Sequence, residues 1–239
     1  MFFENENELK RAERDRHGME EKYGKYGYNF SKNRVDIRGK DIVVEKDGCK
    51  MYMLPADDMR HFTIAYNTNT HCDIRYGHMG ETSLLNMTSS PSSACVIIED
   101  KNEQIQAASW VWVDEDKDLF VFDMFEFHRV PEDYKYADLI EDYVKAIPYQ
   151  NVHMSAECYA GDLASIPFGK KCEEKECASR PDNSHLHMDQ TFCYSDYHAR
   201  QLPLCLKKNG EIVEKKPDSP RCGRDFEEDK KNNTEKEMD

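Results

Sequence analysis

Ala94-Cys95-Val96-Ile97-Ile98-Glu99, Ile105-Gln106-Ala107-Ala108-Ser109-Trp110-Val111-Trp112-Val113 and Leu119-Phe120-Val121-Phe122-Asp123-Met124-Phe125-Glu126-Phe127 are three apolar runs rich in β-branched and aromatic residues. The links between them, 100–103 and 114–118, are short and polar. Such runs favour extended backbone, and links of this length permit only tight reversals, so 94–127 predicts an antiparallel meander. Downstream the period changes. Tyr136, Leu139, Ile140, Tyr143, Val144 and Ile147 recur at helical spacing after Pro131-Glu132-Asp133, which predicts a helix over 134–147. A buried strand is expected over 152–156, a helical turn over 163–166, and one or two closing strands within 191–206.

Upstream, 41–54 alternates weakly around Gly48 and reads as a strand or hairpin, and 56–66 follows Pro55 as a short helix. The stretch 69–93 is rich in Gly, Ser and Asn and reads as loop. Residues 4–23 are good helix formers with too few apolar positions for a wide stripe, which predicts a solvated helix. The expected fold is α/β (α+β): a mixed, mostly antiparallel central sheet with helices on both faces. The expected organisation is a charged helical extension over 1–40, one folded domain over 41–208, and a disordered charged tail over 209–239, where Pro217, Pro220 and Gly223 interrupt a nearly unbroken polar run.

The chain has 239 residues and a net charge of −14, with 38% hydrophobic and 33% charged residues and a mean hydropathy of −0.88. That charge argues against nucleic acid as a partner, because binding phosphates requires Lys and Arg to displace counterions. It suits a small-molecule amine or a basic protein, and it also serves solubility. No apolar run approaches the roughly 20 residues that span a bilayer, so no membrane partner is expected. Residues 1–16 lack the basic-then-apolar order of an export signal, and a cytoplasmic location is expected. The nine cysteines are odd in number and irregularly spaced, which favours free thiols.

The element order resembles that of the GNAT superfamily of acyl-CoA N-acyltransferases. Within it, Thr70-His71-Cys72, Gly77, Gly80-Glu81-Thr82-Ser83, Ala108-Ser109-Trp110-Val111-Trp112, Val121-Phe122-Asp123-Met124-Phe125-Glu126 and Tyr194-Ser195-Asp196 resemble a GNAT-like branch common in gut Firmicutes and their phages. The resemblance spans roughly 50–207. It implies that strand 119–127 and strand 152–156 splay apart to admit the pantetheine arm of acetyl-CoA along the main chain of Phe125 and Phe127. It also implies a pyrophosphate contact from the loop that follows, through Arg129, Lys135, Tyr136 and Ala137. The glycines that active members carry in that loop are missing here. Pro131 removes a donor, and Glu132 and Asp133 set negative charge beside the expected anion.

Acyl transfer to an amine needs a base, an oxyanion donor and an acid for the leaving thiolate. The resemblance places a carboxylate base at Glu126, which could instead pair at the strand's end. Asp123 is three residues away, and in a regular strand the two side chains point to opposite faces, so only one could line the cleft. For the acid the resemblance offers Tyr194 and Tyr197, with Tyr159 more remote; packing is the plainer role for each. Trp110 and Trp112 share a strand face and form a hydrophobic wall. His71-Cys72 lacks an orienting acid for a nucleophilic pair. Cys172, Cys177, His185, His187 and Cys193 could supply four zinc ligands, although no paired CxxC spacing supports it. The functional expectation is an N-acyltransferase acting on an amine. The alternative is a binding protein of the same shape without catalysis, a phage or mobile-element accessory factor using its acidic surface, with or without stabilising zinc.

Overall fold

The computed structural model describes residues 6–68, 74–128, 136–154, 170–171, 183–189 and 204–207. The chain begins with α1 (Glu6–Tyr23), followed by the hairpin β1 (Val43–Lys46) and β2 (Cys49–Met53). Lys46 pairs with Cys49, which leaves a two-residue turn. That turn is Asp47-Gly48, with φ of 51° and 76°, and an Asp-Gly pair suits two positive φ values because it avoids most of the Cβ penalty. The short helix expected at 56–66 divides into a 3₁₀ turn, Met59–Phe62, capped by the Asp58 carboxylate on the Arg60 amide, and α2 (Ile64–Asn67).

Next comes α3 (Glu81–Met87), inside the stretch expected to be loop. It is hidden from sequence periodicity because it is enclosed on nearly all sides: Leu84, Leu85, Asn86 and Met87 are each 0% exposed. A helix with no polar face shows no 3.6-residue alternation. The meander then follows as expected, in β3 (Ser93–Asp100), β4 (Ile105–Asp114) and β5 (Leu119–Phe127). After it come α4 (Ala137–Ala146), β6 (Asn151–Met154), β7 (Lys170–Lys171) and β8 (Leu204–Lys207). The expected turn at 163–166 and the charged tail lie outside the described residues.

These strands form one sheet in the order β1-β2-β3-β4-β5-β6-β8-β7. Neighbours are antiparallel except β5 and β6, which α4 joins in parallel. Every residue of β5 is buried, because helices cover both faces of the sheet. On one face α4 contributes Leu139, Ile140, Tyr143 and Val144 against Met51, Val96, Phe120 and Phe122. On the other, Leu84, Leu85 and Met87 of α3 and Ile64 of α2 share a cluster with Ile97, Trp110, Trp112 and Val121.

α1 belongs to this second face, which corrects the expectation of a solvated helix. Ala12 and Met19 are 0% exposed and join the same cluster. The few apolar positions mislead because part of the buried stripe is polar and satisfied by hydrogen bonds. Asp15, 1% exposed, accepts from the Tyr66 hydroxyl at 3.0 Å, and Glu8 accepts from Asn67 Nδ2 at 2.7 Å. A buried charge is tolerable when its lone pairs are filled. Among the described residues, no helix is long and apolar enough to cross a membrane.

Candidate active site

The site begins with a one-residue irregularity in the middle of β5. Ser109 of β4 pairs with Phe125, but Val111, two residues on, pairs with Phe122, three residues back. Asp123 and Met124 together therefore oppose Trp110, a β-bulge, which bends its strand and increases the local twist. The Ser109 hydroxyl lies 3.3 Å from the Asp123 carbonyl and 3.2 Å from that of Trp110, so it can donate to a carbonyl the ladder leaves aside.

Two consequences follow. First, β6 pairs with β5 only from Leu119↔Asn151 to Phe122↔Met154. β5 runs on to Phe127, still paired with β4, so among the described residues its last five positions have no strand on the β6 side. The His128 amide donates to the Gln106 carbonyl of β4 at 2.8 Å. By the two-residue alternation, Glu126 also turns its main chain toward β4, and the N–H and C=O groups of Phe125 and Phe127 point to the opposite edge, on the β6 side.

Second, the bulge resets which side chains share a face. Phe120 and Phe122 pack on the α4 side, and so do Phe125 and Phe127. The residues between are displaced together to the other side, where both Asp123 and Glu126 line one small cavity with Trp110 and Met124. The expectation that the two carboxylates face opposite ways is thus corrected: it holds for a regular strand, and this strand gains a residue between them. A sequence signal for this exists, since the large aromatics stand at 120, 122, 125 and 127 and the even phase becomes odd across Asp123-Met124.

The cavity holds about 20 Å³, enough for a single water molecule. Asp123 and Glu126 are 8% and 7% exposed. Ser83 and Met87 of α3 and Ile64 of α2 close it from above, and Cys95 lies on its floor. Burial pushes the Cys95 thiol up, so it stays protonated and unreactive. Trp110 is fixed by its indole N–H donating to Ser93 Oγ at 2.6 Å, and its ring centroid lies 5.2 Å from that of Trp112. The tryptophan wall is therefore present, on the cavity face.

The other predicted residues divide as follows. The Phe125 and Phe127 side chains are core, so only their main chain faces the edge on the β6 side. Tyr136 stacks on Phe127 with centroids 6.0 Å apart and immediately precedes α4, whose first residue is Ala137. Arg129, Lys135, Tyr159, Tyr194, Tyr197, His71, Cys72, Cys172, Cys177 and Cys193 lie outside the described residues. His185 Nε2 is 2.7 Å from Ser89 Oγ, and the His187 amide donates to the Tyr26 carbonyl at 3.0 Å. Among the described residues, no group of three or more His, Cys, Asp or Glu side chains could hold a metal ion. Cys49 and Cys95 are buried, and neither forms a disulfide among the described residues. Asp123, Ser83 and Cys95 are site residues that strand alternation and the loop reading of 69–93 did not supply.

No protein family and no curated protein matches the sequence. Among solved structures, the ribosomal-protein-S5-alanine acetyltransferase from Vibrio fischeri aligns at 10% identity over 74% of this chain and 100% of its own, with a TM-score of 0.42. A GCN5-related N-acetyltransferase from Brucella melitensis aligns at 10% identity over 72% and 82%, with a TM-score of 0.41. A mutant of spermidine N-acetyltransferase from Vibrio cholerae aligns at 11% over 46% and 70%, with a TM-score of 0.35. These superpositions are too loose to transfer any residue's role. Among the described residues, a hairpin and meander run into a bulged strand, a crossover helix leads to a parallel neighbour paired from Leu119↔Asn151 to Phe122↔Met154, and a closing antiparallel strand lies beyond it. That mixed, mostly antiparallel sheet with helices on both faces is consistent with a GNAT-like fold.

Proposed function

We propose that this protein is an N-acyltransferase that moves an acyl group from acyl-CoA, with acetyl-CoA as the reference donor, to an amine. The observation that carries the reading is the bulge at Asp123-Met124, which turns two carboxylates into one cavity beside the point where the described β5–β6 pairing ends. An open strand edge offers alternating donors and acceptors at the spacing of an extended amide chain, and the pantetheine arm of CoA is such a chain. The Phe125 and Phe127 main chain is the proposed binding edge, with Arg129, Lys135, Tyr136 and Ala137 toward the phosphates.

The thioester supplies an activated acyl group. In the proposed reaction the ammonium first gives a proton to Glu126, directly or through the one water the cavity can hold; the neutral nitrogen then bonds to the acyl carbon, and its second surplus proton replaces the one given to the leaving thiolate. The carbon–sulfur bond breaks, and a hydroxyl of Tyr194 or Tyr197 returns a proton to the thiolate. Asp123, beside Glu126, attracts an acceptor that arrives as an ammonium, whether a small-molecule amine or a basic protein, and the net charge of −14 favours the same class. Isothermal titration with acetyl-CoA tests the first requirement: saturable heat is expected, and no heat at millimolar ligand removes the proposal.

A further inference from the structure

A second recess, sharing no lining residue with the cavity at Asp123 and Glu126, has a volume of about 540 Å³, within the range of small-molecule sites. Lys22, Tyr23, Lys25 and Tyr26, at the end of α1 and in the turn after it, form one wall. Met79, Glu81 and Met188 also line it. We propose that this recess binds a small aromatic anion, independently of the acyltransferase reading.

Charge decides the sign of the ligand. Glu81, 5% exposed, is its one carboxylate among the described lining residues, and it is already matched. It accepts from Lys22 Nζ at 2.6 Å, from the Tyr23 hydroxyl and from the Gly77 amide. Burial pushes the Tyr23 hydroxyl up to about 12 and its bond to Glu81 acts in the same direction, so it remains a donor. Among the described lining residues the recess therefore presents no uncompensated negative charge, while the exposed Lys25 ammonium adds a positive one in a protein of net charge −14.

The apolar part decides the rest. The Lys22 and Lys25 ammonium groups sit over the rings of Tyr23 and Tyr26, 5.1 Å and 4.7 Å from their centroids, which holds the Lys25 charge at the recess. Met79 is 72% exposed, and thioethers adapt their shape and favour aromatic rings. A flat ring against Met79 and Met188, with its anionic group at Lys25, uses these features.

Anilinonaphthalene sulfonate, an aromatic anion that fluoresces on leaving water, is the probe for the full chain. One saturable equivalent is expected, with the dissociation constant raised about tenfold or more by Lys25→Glu and again by Met79→Asp. Both positions are exposed, so thermal unfolding should be unchanged. Lys25→Arg should bind as the parent does. Absent saturation, binding indifferent to Lys25→Glu, or displacement of the probe by acetyl-CoA would each overturn the proposal; the last would place the probe in the acyl-CoA cleft instead.

Discussion

Glu126 and Asp123 share a cavity but not a proposed task, and single substitutions separate them. Glu126→Gln keeps the shape and removes the base, so kcat with the best amine acceptor should fall by roughly 10²- to 10⁴-fold while the acetyl-CoA dissociation constant stays unchanged. Asp123→Asn should act chiefly on acceptor KM, because it removes a charge that attracts the ammonium. Equal losses in both variants and both parameters would count against the division. Elsewhere a glycine shows how contact overrides propensity. A Cβ on Gly18, inside α1, would stand 2.4 Å from the Tyr76 ring. Alanine is favoured over glycine in a helix by about 1 kcal/mol, yet overpacking costs about 1–3 kcal/mol. Gly18→Ala should therefore lower the urea midpoint in the parent and raise it in a Tyr76→Ala background, and the same sign in both would refute the contact. Nothing in the sequence announces this pair, since Gly18 and Tyr76 meet only when α1 folds back on the domain.

The meander, the hairpin at Asp47-Gly48, α4 and the start of β6 were legible because each has its own period or turn chemistry. α3 and the buried side of α1 were not, for opposite reasons: one is enclosed on nearly all sides and the other buries polar groups that are satisfied only in the fold. The bulge is intermediate, since the slip of aromatic phase between Phe122 and Phe125 records it once the strand is known to be buried on both faces. Its support is testable. Ser109→Ala removes the hydroxyl that reaches the Asp123 carbonyl, at a cost of about 1 kcal/mol in stability. If that hydroxyl holds the bulge in register, acetyl-CoA affinity should fall at the same time, although Ser109 sits on β4 and not in the proposed binding edge. A stability loss with unchanged affinity would show that the bulge is maintained by packing alone.

Over the whole molecule, the two layers of helix on one sheet bury ionisable groups whose folded and unfolded proton affinities differ, and this sets the acid side of the stability profile. His61 is 0% exposed, with Nε2 3.0 Å from the Pro55 carbonyl and its ring edge-on to Phe30. Burial lowers its pKa from the ordinary 6.5 against the opposing fields of Asp58 and Asp57, with Arg60 adding to the lowering. Because the folded value is the lower one, both states are neutral above about 6.5 and His61 contributes no pH dependence there. Below that pH the unfolded chain takes up the proton first, so stability falls with a slope approaching 1.4 kcal/mol per pH unit. Asp58 and Glu81 behave differently. Burial tends to raise both carboxyls, but Arg60 at one and Lys22 and Tyr23 at the other hold them below their ordinary 3.8 and 4.5. Their stabilisation is fully present above those values and is lost only as pH drops below them. The interval from 6.5 to 5 is therefore where His61 acts and these two carboxylates do not. Urea unfolding across that interval should show a midpoint that declines in the parent. His61→Gln can still donate to Pro55 but cannot titrate, and its midpoint should be lower at pH 7 and nearly flat. Parallel declines in the two proteins would assign the acid sensitivity to another group.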